Sequence, residues 1–296
     1  MDNECAAKKK FEEAERKAKG GKSFFGLFGG GRNGEDACEL YVQAGNLFKI
    51  AKNWHSAGDS FLCAAEIHGK RTDGKHDSAS NYAEAGNCYQ KVDPQKAIDC
   101  FTKTADIYTD MGRFSMAAKE HFRMAELYDS DFPDKEKAMF HYEKAADFYK
   151  GEEAKSSATK CLNKVAQLAA ELGQYRKAVT IFEEIAIWEA DHSTLKYNAK
   201  NHFFQALLCH LCIDLLDSQQ VLKKYEDIHP AFSESRECKL IKDIISALEA
   251  QDVDGFTACV KNYDKISRLD KWHTSLLLKI KKTCKEADEE EEEDLK

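Results

Sequence analysis

The stretch ACELYVQAGNLF at residues 37–48 decides the fold of this chain, because its pattern returns about every 20 residues. The marked positions in this copy are Ala37, Tyr41, Ala44, Gly45 and Phe48. A fixed period of this kind is typical of repeat proteins, in which each unit packs against its neighbours. Close copies of the spacing occupy 57–68, 97–108, 138–149 and 178–189, and looser copies centre on Ala85, Met124, Val165 and Ala206.

Each unit predicts an α-helix with one buried face. Relative to the central residue, positions −7, −3, 0, +1 and +4 fall within an arc of roughly 100°. Small residues at the centre let two helix backbones approach closely, and the aromatic residues fill the space beside the crossing. Turn signals separate the units, among them Asp93-Pro94 and Phe132-Pro133-Asp134, while Gly112 and Gly173 suit the left-handed position after a helix. An ordinary helical bundle is the alternative, but it does not require evenly spaced copies.

Two units make a helical hairpin of about 40 residues, which is longer than the roughly 34 residues of a standard tetratricopeptide repeat. We therefore expect an all-α fold, a right-handed tetratricopeptide-like helical-hairpin solenoid with a C-terminal helical bundle. Residues 1–216 should hold an N-terminal helix near Ala6–Lys19, an apolar loop and the solenoid, residues 217–285 the bundle, and residues 286–296 an acidic tail. Helices of the bundle are expected around Gln219–Ile228, Glu237–Ala250, Gly255–Ile266 and Lys271–Lys285.

Charge and hydropathy exclude several functional classes. Residues 286–296 hold eight acidic residues and one lysine, so almost all of the net charge of −8 lies there. The remainder is close to neutral, which argues against strong nucleic-acid binding. No run of 18 apolar residues predicts a membrane span, and Met1–Phe11 lacks the apolar core of an export signal. We therefore expect the eleven cysteines to be reduced thiols in the cytosol.

Motifs of catalysis and metal binding are absent or incomplete. The run Gly29–Gly34 matches a dinucleotide fingerprint in letters, but no strand precedes it. Gly21-Lys22-Ser23 resembles the end of a phosphate loop, yet Arg16 stands where that loop needs glycine. Cys209-His210-Leu211-Cys212 has no second cysteine pair at a zinc-site spacing and lies in an apolar helix. The sequence predicts no catalytic residue, no metal site and no cofactor.

An apolar loop near the N-terminus is a candidate binding element. Phe24, Phe25, Leu27 and Phe28 lie between two glycine-rich runs, with basic residues on either side. One interpretation is a loop that touches membrane, where each inserted side chain contributes roughly 1.5–3 kcal/mol, enough for reversible attachment. The other is a loop that packs against the first helical hairpin.

A repeated basic position is the second candidate. Lys119 and Lys160 lie five residues before the centres of units two steps apart, and Arg123 and Lys164 lie one residue before the same centres. Alternate helices of a solenoid line the same face, so these pairs predict a basic stripe for an elongated acidic partner. An ordinary solvated face is the alternative.

The acidic end, Asp288–Lys296, is the third candidate. Acidic runs are usually solvated, which makes a solubilising tail one interpretation. Leu295, one residue from the end and directly after the acids, permits another: an apolar contact presented to a basic partner.

Several longer motifs resemble the soluble NSF attachment protein family, over about residue 12 to the end of the chain. They are Ser23-Phe24-Phe25-Gly26-Leu27-Phe28-Gly29-Gly30, Ala51-Lys52-Asn53-Trp54, Asp93-Pro94-Gln95, Ile107–Phe114, Tyr149–Glu153, Ser235–Leu240, Ser267-Arg268-Leu269-Asp270 and the ending Glu293-Asp294-Leu295. Together these motifs are far more specific than any short catalytic signature.

The resemblance implies a cytoplasmic adaptor, peripheral on membranes and without catalysis of its own. Family members wrap around assembled SNARE complexes of syntaxin, synaptobrevin and SNAP-25-like proteins and recruit the hexameric ATPase NSF, which disassembles the complex after fusion. The implied SNARE-binding residues are Lys52, Arg113, Lys119, Arg123, Lys160, Lys164, Lys196, Tyr197 and Lys200. The implied membrane contacts are Phe24, Phe25, Leu27 and Phe28, and the implied NSF-binding residues are Glu291, Glu292, Glu293, Asp294 and Leu295. A generic tetratricopeptide-like scaffold for acidic peptides, without coupling to an ATPase, is the alternative.

Overall fold

In a computed structural model, the described residues fold into a series of α-helices. The structure describes residues 3–20, 30–130 and 133–294, with 30–33 and 284–294 described by backbone alone. These described residues contain no strand, so the predicted all-α class is confirmed. The helices in chain order are α1 Asn3–Gly20, α2 Gly30–Ile50, α3 Trp54–His68, α4 Lys75–Tyr89, α5 Pro94–Asp110, α6 Phe114–Ser130, α7 Lys135–Gly151, α8 Lys155–Glu171, α9 Tyr175–Ala190, α10 Lys196–Leu211, α11 Leu215–Ile228, α12 Pro230–Ser233, α13 Arg236–Glu249, α14 Val253–Asp264 and α15 Lys271–Asp294.

The sequence period corresponds to one helix per unit from α2 to α10. Every predicted unit centre lies inside its own helix, which confirms the period as a structural repeat. The four stretches expected after residue 216 correspond to α11, α13, α14 and α15. The buried unit centres are Ala44, Ala64, Ala85, Thr104, Met124, Ala145, Val165, Ile185 and Ala206.

Small and aromatic positions of successive units interlock. A Cβ on Gly45 of α2 would lie 2.9 Å from the ring of Phe61 in α3, and a Cβ on Gly86 of α4 would lie 2.5 Å from the ring of Phe101 in α5. Both glycines follow a unit centre, and both rings come three residues before the next one. The predicted packing of aromatic rings beside small residues is thus confirmed at these crossings.

Local signals in the sequence explain where the helices begin and end. The Asp93 carboxylate accepts a hydrogen bond from the backbone N–H of Lys96 at 3.2 Å, and Pro94 occupies the first helical turn. Gly112 and Gly173 have φ of +70° and +77°, as predicted for the left-handed position after a helix. The same position after other helices holds Lys52, Glu153 and Gln251, with φ of 59°, 56° and 52°.

The chain divides into two compact units, Met1–Cys161 and Leu162–Lys296. In the first unit consecutive helices from α1 to α7 pack against each other. Contacts between starts and ends show neighbours that run antiparallel: Ser78 at the start of α4 donates a hydrogen bond at 2.8 Å to the carbonyl of Ala65 near the end of α3, and Thr104 in the second half of α5 donates one at 3.4 Å to the carbonyl of Ala79 near the start of α4. Alternate helices also meet, as Lys49 of α2 and Glu84 of α4 form a 2.7 Å ion pair.

In the second unit α10 is central and packs against α9, α11, α13 and α15. The start of α15 is anchored by Trp272, whose indole N–H donates a hydrogen bond at 3.0 Å to the carbonyl of Gln167 in α8. The same indole meets the ring of Phe182 edge to face at 5.7 Å. Leu276, Leu277 and Ile280 continue the buried face of α15.

Candidate protein-binding site

The basic residues predicted on α6 and α8 meet within the first unit. Lys119 and Lys160 are exposed. The Lys160 ammonium lies 4.8 Å from the ring centroid of Phe122 on α6, so the two alternate helices are neighbours here, as the repeat register predicts. No residue that the structure describes forms a hydrogen bond or ion pair with Lys119 or Lys160, and both charges are therefore available to a partner.

Arg123, the other predicted cation on α6, is engaged inside the unit. Its guanidinium contacts both carboxylate oxygens of Glu120, at 3.1 and 3.3 Å, and lies 5.5 Å from the ring of Phe101. Its side chain is 27% exposed, and that of Glu120 is 5% exposed. Burial raises the pKa of Glu120, and the charge of Arg123 partly offsets that effect. Arg123 thus balances a buried carboxylate, whereas Lys119 faces solvent.

Lys52 and Arg113 lie in turns on opposite edges of the first unit. Lys52 is exposed in the turn between α2 and α3, and Arg113 is exposed in the turn between α5 and α6. Because consecutive helices run antiparallel, these two turns lie at opposite ends of the helices. The turn that contains Lys52 is followed by Trp54. The Lys91 ammonium lies 4.3 Å from the centroid of the Trp54 ring.

Within the second unit, the predicted contacts on α10 form an exposed patch at the start of the helix. Tyr197 is 71% exposed. The Lys196 ammonium lies 5.3 Å from the centroid of its ring. Lys200, one turn later, is bound by Glu237 of α13 at 3.3 Å. Lys164 is half-buried on α8. The patch therefore combines an aromatic ring with cations, which suits recognition of another protein.

The remaining predicted contacts fall partly or wholly outside the described residues. Phe24, Phe25, Leu27 and Phe28 belong to the stretch 21–29, which lies outside them, and so does Leu295. The backbone is helical at Glu291, Glu292, Glu293 and Asp294, whose side chains are not described. Among the described helices, none combines the length and apolar character that crossing a bilayer demands.

The cysteines of the CHLC motif are packed into the fold. Cys209 is fully buried at the end of α10, and Cys212 follows that helix. Burial raises the pKa of both thiols, that of Cys212 to about 11. They are therefore protonated at neutral pH and poor nucleophiles. Over the described ranges, no three His, Cys, Asp or Glu side chains gather as a metal ion would require.

One pair of titratable residues carried no signal in the sequence analysis. The Nδ1 atoms of His121 in α6 and His141 in α7 lie 3.0 Å apart. Their rings stack at 5.3 Å, and the rings of Phe148 and Tyr128 stack against them. Burial lowers the pKa of both imidazoles to about 4. The two histidines are 20 positions apart, which is about one repeat. This spacing is the one feature of the sequence that could have placed them side by side on consecutive helices.

Antiparallel helical repeats with exposed cations beside aromatic rings define a helical-repeat protein that binds other proteins. A family model described as "Soluble NSF attachment protein, SNAP" matches residues 5–285. The chain belongs to that family, whose members are adaptor proteins.

Known relatives match the chain over its length. The alpha-soluble NSF attachment protein of Mus musculus is 52% identical over 295 residues, covering 98% of this chain and 99% of the relative. The beta-soluble NSF attachment protein of Bos taurus is 51% identical over 300 residues, covering 100% of both chains. The probable vesicular-fusion protein sec17 homolog of Schizosaccharomyces pombe is 34% identical over 280 residues, covering 94% of this chain and 96% of the relative.

A solved structure supports the repeat architecture. The signal transduction ATPase with a tetratricopeptide repeat sensor, PH0952 from Pyrococcus horikoshii, superposes with a TM-score of 0.51 at 17% identity. The match covers 93% of this chain and 44% of that protein. At this identity the likeness concerns the fold alone, and it agrees with the predicted tetratricopeptide-like repeats.

Proposed function

We propose that this protein is an adaptor, without catalysis of its own, that binds assembled SNARE complexes and recruits the ATPase NSF for their disassembly after membrane fusion. The observation that carries the proposal is the exposure of Lys119 and Lys160 at equivalent positions of alternate helices, in a chain about half identical to mammalian NSF attachment proteins. Two unpaired cations on neighbouring helices suit the acidic surface of a SNARE four-helix bundle.

Within this role the predicted contacts divide by partner. Lys52 and Arg113 add SNARE contacts in the first unit. The patch at Lys196, Tyr197 and Lys200, together with Lys164, extends SNARE binding to the second unit. The contribution of Arg123 to the interface is indirect, through its ion pair with the buried carboxylate of Glu120. The apolar loop at 24–28 provides reversible membrane contact, so the protein acts in the cytoplasm and at membrane surfaces. The acidic end with Leu295 contacts NSF.

Binding to a purified, assembled SNARE complex tests the proposal. The double variant Lys119→Glu with Lys160→Glu should bind at least about tenfold more weakly, because two attractive contacts become repulsive. The matched control is Lys70→Glu with Lys75→Glu, which makes the same charge change at exposed positions of the same unit and should bind within about twofold of the unaltered protein. Equal losses in the two variants would show only an effect of net charge and would refute a local contact.

The role in disassembly needs a second readout. Reconstituted SNARE complex, NSF and ATP should yield separated SNARE proteins only when this protein is added. Leu295→Ala should retain SNARE binding yet slow disassembly, because it alters the NSF contact alone. Normal disassembly by that variant would remove Leu295 from the mechanism, and the absence of any stimulation by the unaltered protein would overturn the adaptor proposal itself.

A further inference from the structure

The second unit contains a polar pocket of about 370 Å³ that the proposed adaptor role does not use. Its walls come from α8, α10 and α13, from the end of α14 and the start of α15, and from the segment that joins those two helices. The volume lies at the lower end of the range for small-ligand sites. Unlike most such sites, this pocket is lined largely by side-chain amides, imidazoles and carboxylates.

Four of the lining side chains are amides without partners. Asn198, Asn201 and Gln205 follow one face of α10 at positions i, i+3 and i+7, and Asn163 faces them from α8. None of these four side chains forms a hydrogen bond with any residue that the structure describes. Gln205 is only 6% exposed, and the Oδ1 atom of Asn163 is buried without a partner.

Asn198 and Asn201 are exposed to solvent. The Asn163 Oδ1 atom is the unusual case, because buried polar groups are nearly always paired. The other polar residues of the pocket follow that rule. Asp270 binds the Nδ1 of His273 at 2.7 Å, and the imidazole stacks on Phe204 at 5.5 Å. Glu237 accepts hydrogen bonds from Lys200 at 3.3 Å and from the Tyr263 hydroxyl at 3.2 Å. These hydrogen bonds fix the positions of His273, Asp270 and Glu237 in the wall. The four amide side chains, in contrast, have no hydrogen-bond partner among the described residues.

A side-chain amide offers the same donor and acceptor groups as a peptide unit, so a stripe of amides matches an extended backbone. From Asn198 to Gln205 the stripe rises roughly 10 Å along α10, which is about three residues of an extended chain. The Asp270 carboxylate, which is 61% exposed and paired with an imidazole rather than an ammonium, favours a cationic side chain. The one lining arginine, Arg268, is 89% exposed and bound to Asp264 at 2.9 Å.

We propose that this pocket binds an extended peptide segment of about three residues, through hydrogen bonds between its main chain and the amides of Asn163, Asn198, Asn201 and Gln205, with a basic side chain near Asp270. Such a segment supplies both the N–H donors and the C=O acceptors that the four amides lack. The site is independent of the Lys119 and Lys160 contacts with the SNARE complex.

Titration of the ¹⁵N-labelled full chain tests the proposal. The probes are sets of acetylated, amidated hexapeptides that share one fixed central residue: arginine, glutamate or leucine. The arginine set should shift the side-chain amide resonances of Asn163, Asn198, Asn201 and Gln205 saturably, and the glutamate set should bind at least fivefold more weakly. Absence of shifts with every set at millimolar concentration would mean that the pocket holds only water and would overturn the proposal.

Two variants separate binding from folding. Gln205→Leu with Asn201→Ala should bind the arginine set at least tenfold more weakly, with a melting temperature that is unchanged or raised, because neither amide forms a hydrogen bond within the described fold. Asn262→Ala, an exposed amide of α14, is the control and should leave binding unchanged. Undiminished binding by the double variant, or a lowered melting temperature of Gln205→Leu alone, would refute the proposal, since the latter result would give the amide a role in the fold.

Discussion

The ring of Phe101 lies against the backbone of Gly86 so closely that a Cβ on the glycine would be 2.5 Å from ring carbon Cε1. This contact joins α4 to α5, and Phe101 is fully buried. Gly86→Ala should therefore lower the free energy of unfolding by about 2 kcal/mol, because the ring must move in a packed core. Chemical denaturation followed by circular dichroism measures this difference in the free energy of unfolding.

Gly151 at the end of α7 is the control for this substitution. No atom lies within 4 Å of a Cβ built there. Gly151→Ala should change the free energy of unfolding by less than about 0.5 kcal/mol, or raise it slightly through helix propensity. If the two variants have equal stability, close packing at Gly86 is not what fixes the α4–α5 crossing.

Arg123 and Lys119 should differ in what they do for stability, although both are cations on α6. Arg123→Met leaves the carboxylate of Glu120 buried without its partner and should cost about 2 kcal/mol at neutral pH. Lys119→Met, at an exposed position, should change stability by less than about 0.5 kcal/mol. Denaturation measurements of both variants provide the comparison. A similar cost for the two would contradict the separation of a structural cation from a partner-binding one.

The pair His121 and His141 should make the first unit sensitive to acid. Unfolded histidine takes up a proton near pH 6.5, whereas burial lowers the pKa of both folded imidazoles to about 4. Between these values the unfolded state binds more protons, so stability is complete above pH 6.5 and falls as the pH approaches 4, by about 1.4 kcal/mol per pH unit for each proton. The ammonium groups of Lys144 and Lys137 act in the same direction.

Replacement of both imidazoles tests this origin of acid sensitivity. His121→Leu with His141→Leu should flatten the dependence of the free energy of unfolding on pH between 6.5 and 4. Phe140→Leu, at the half-exposed rim of the same aromatic group, should keep the original slope. An unchanged slope in the double variant would assign the acid sensitivity to other groups.

Gln251, after α13, occupies a left-handed backbone position with φ of 52°, which is unfavourable for a residue with a Cβ. Gln251→Gly should therefore raise the free energy of unfolding by about 1 kcal/mol. Ala250 has an ordinary φ of −85°, and Ala250→Gly should lower stability by about 0.5–1 kcal/mol. Thermal melts of the two variants should shift in opposite directions, and shifts of the same sign would contradict the argument.

Much of the repeat fold was predictable because the same pattern of small and aromatic residues recurs in every unit of about 20 residues. The buried centres from Ala44 to Ala206 and the ring contacts of Gly45 and Gly86 follow from positions at helical spacing. The left-handed Gly112 and Gly173 were predictable for a local reason, since glycine alone adopts that conformation without cost.

Pairing between side chains was not predictable in the same way. The register placed Arg123 and Lys119 on one helix, but it could not show that Glu120 is buried and binds Arg123. Nor could it place the Asn163 and Gln205 amides across a shared pocket, because such contacts depend on how α8 and α10 are rotated about their axes. The SNARE, membrane and NSF contacts remain predictions.

The anchoring of α15 near its beginning determines how tension would enter the second unit. The buried side chains that the structure describes on α15 lie between Trp272 and Ile280, and the backbone of the helix continues to Asp294, roughly 20 Å farther at the helical rise. Among the described side chains, a pull on that far end meets the fold first at Lys281, whose ammonium donates a hydrogen bond at 2.7 Å to the Thr257 hydroxyl, and next at Ile280, so the contacts of α15 break one after another rather than together. The last to yield is the indole of Trp272, which still fastens the helix to the Gln167 carbonyl.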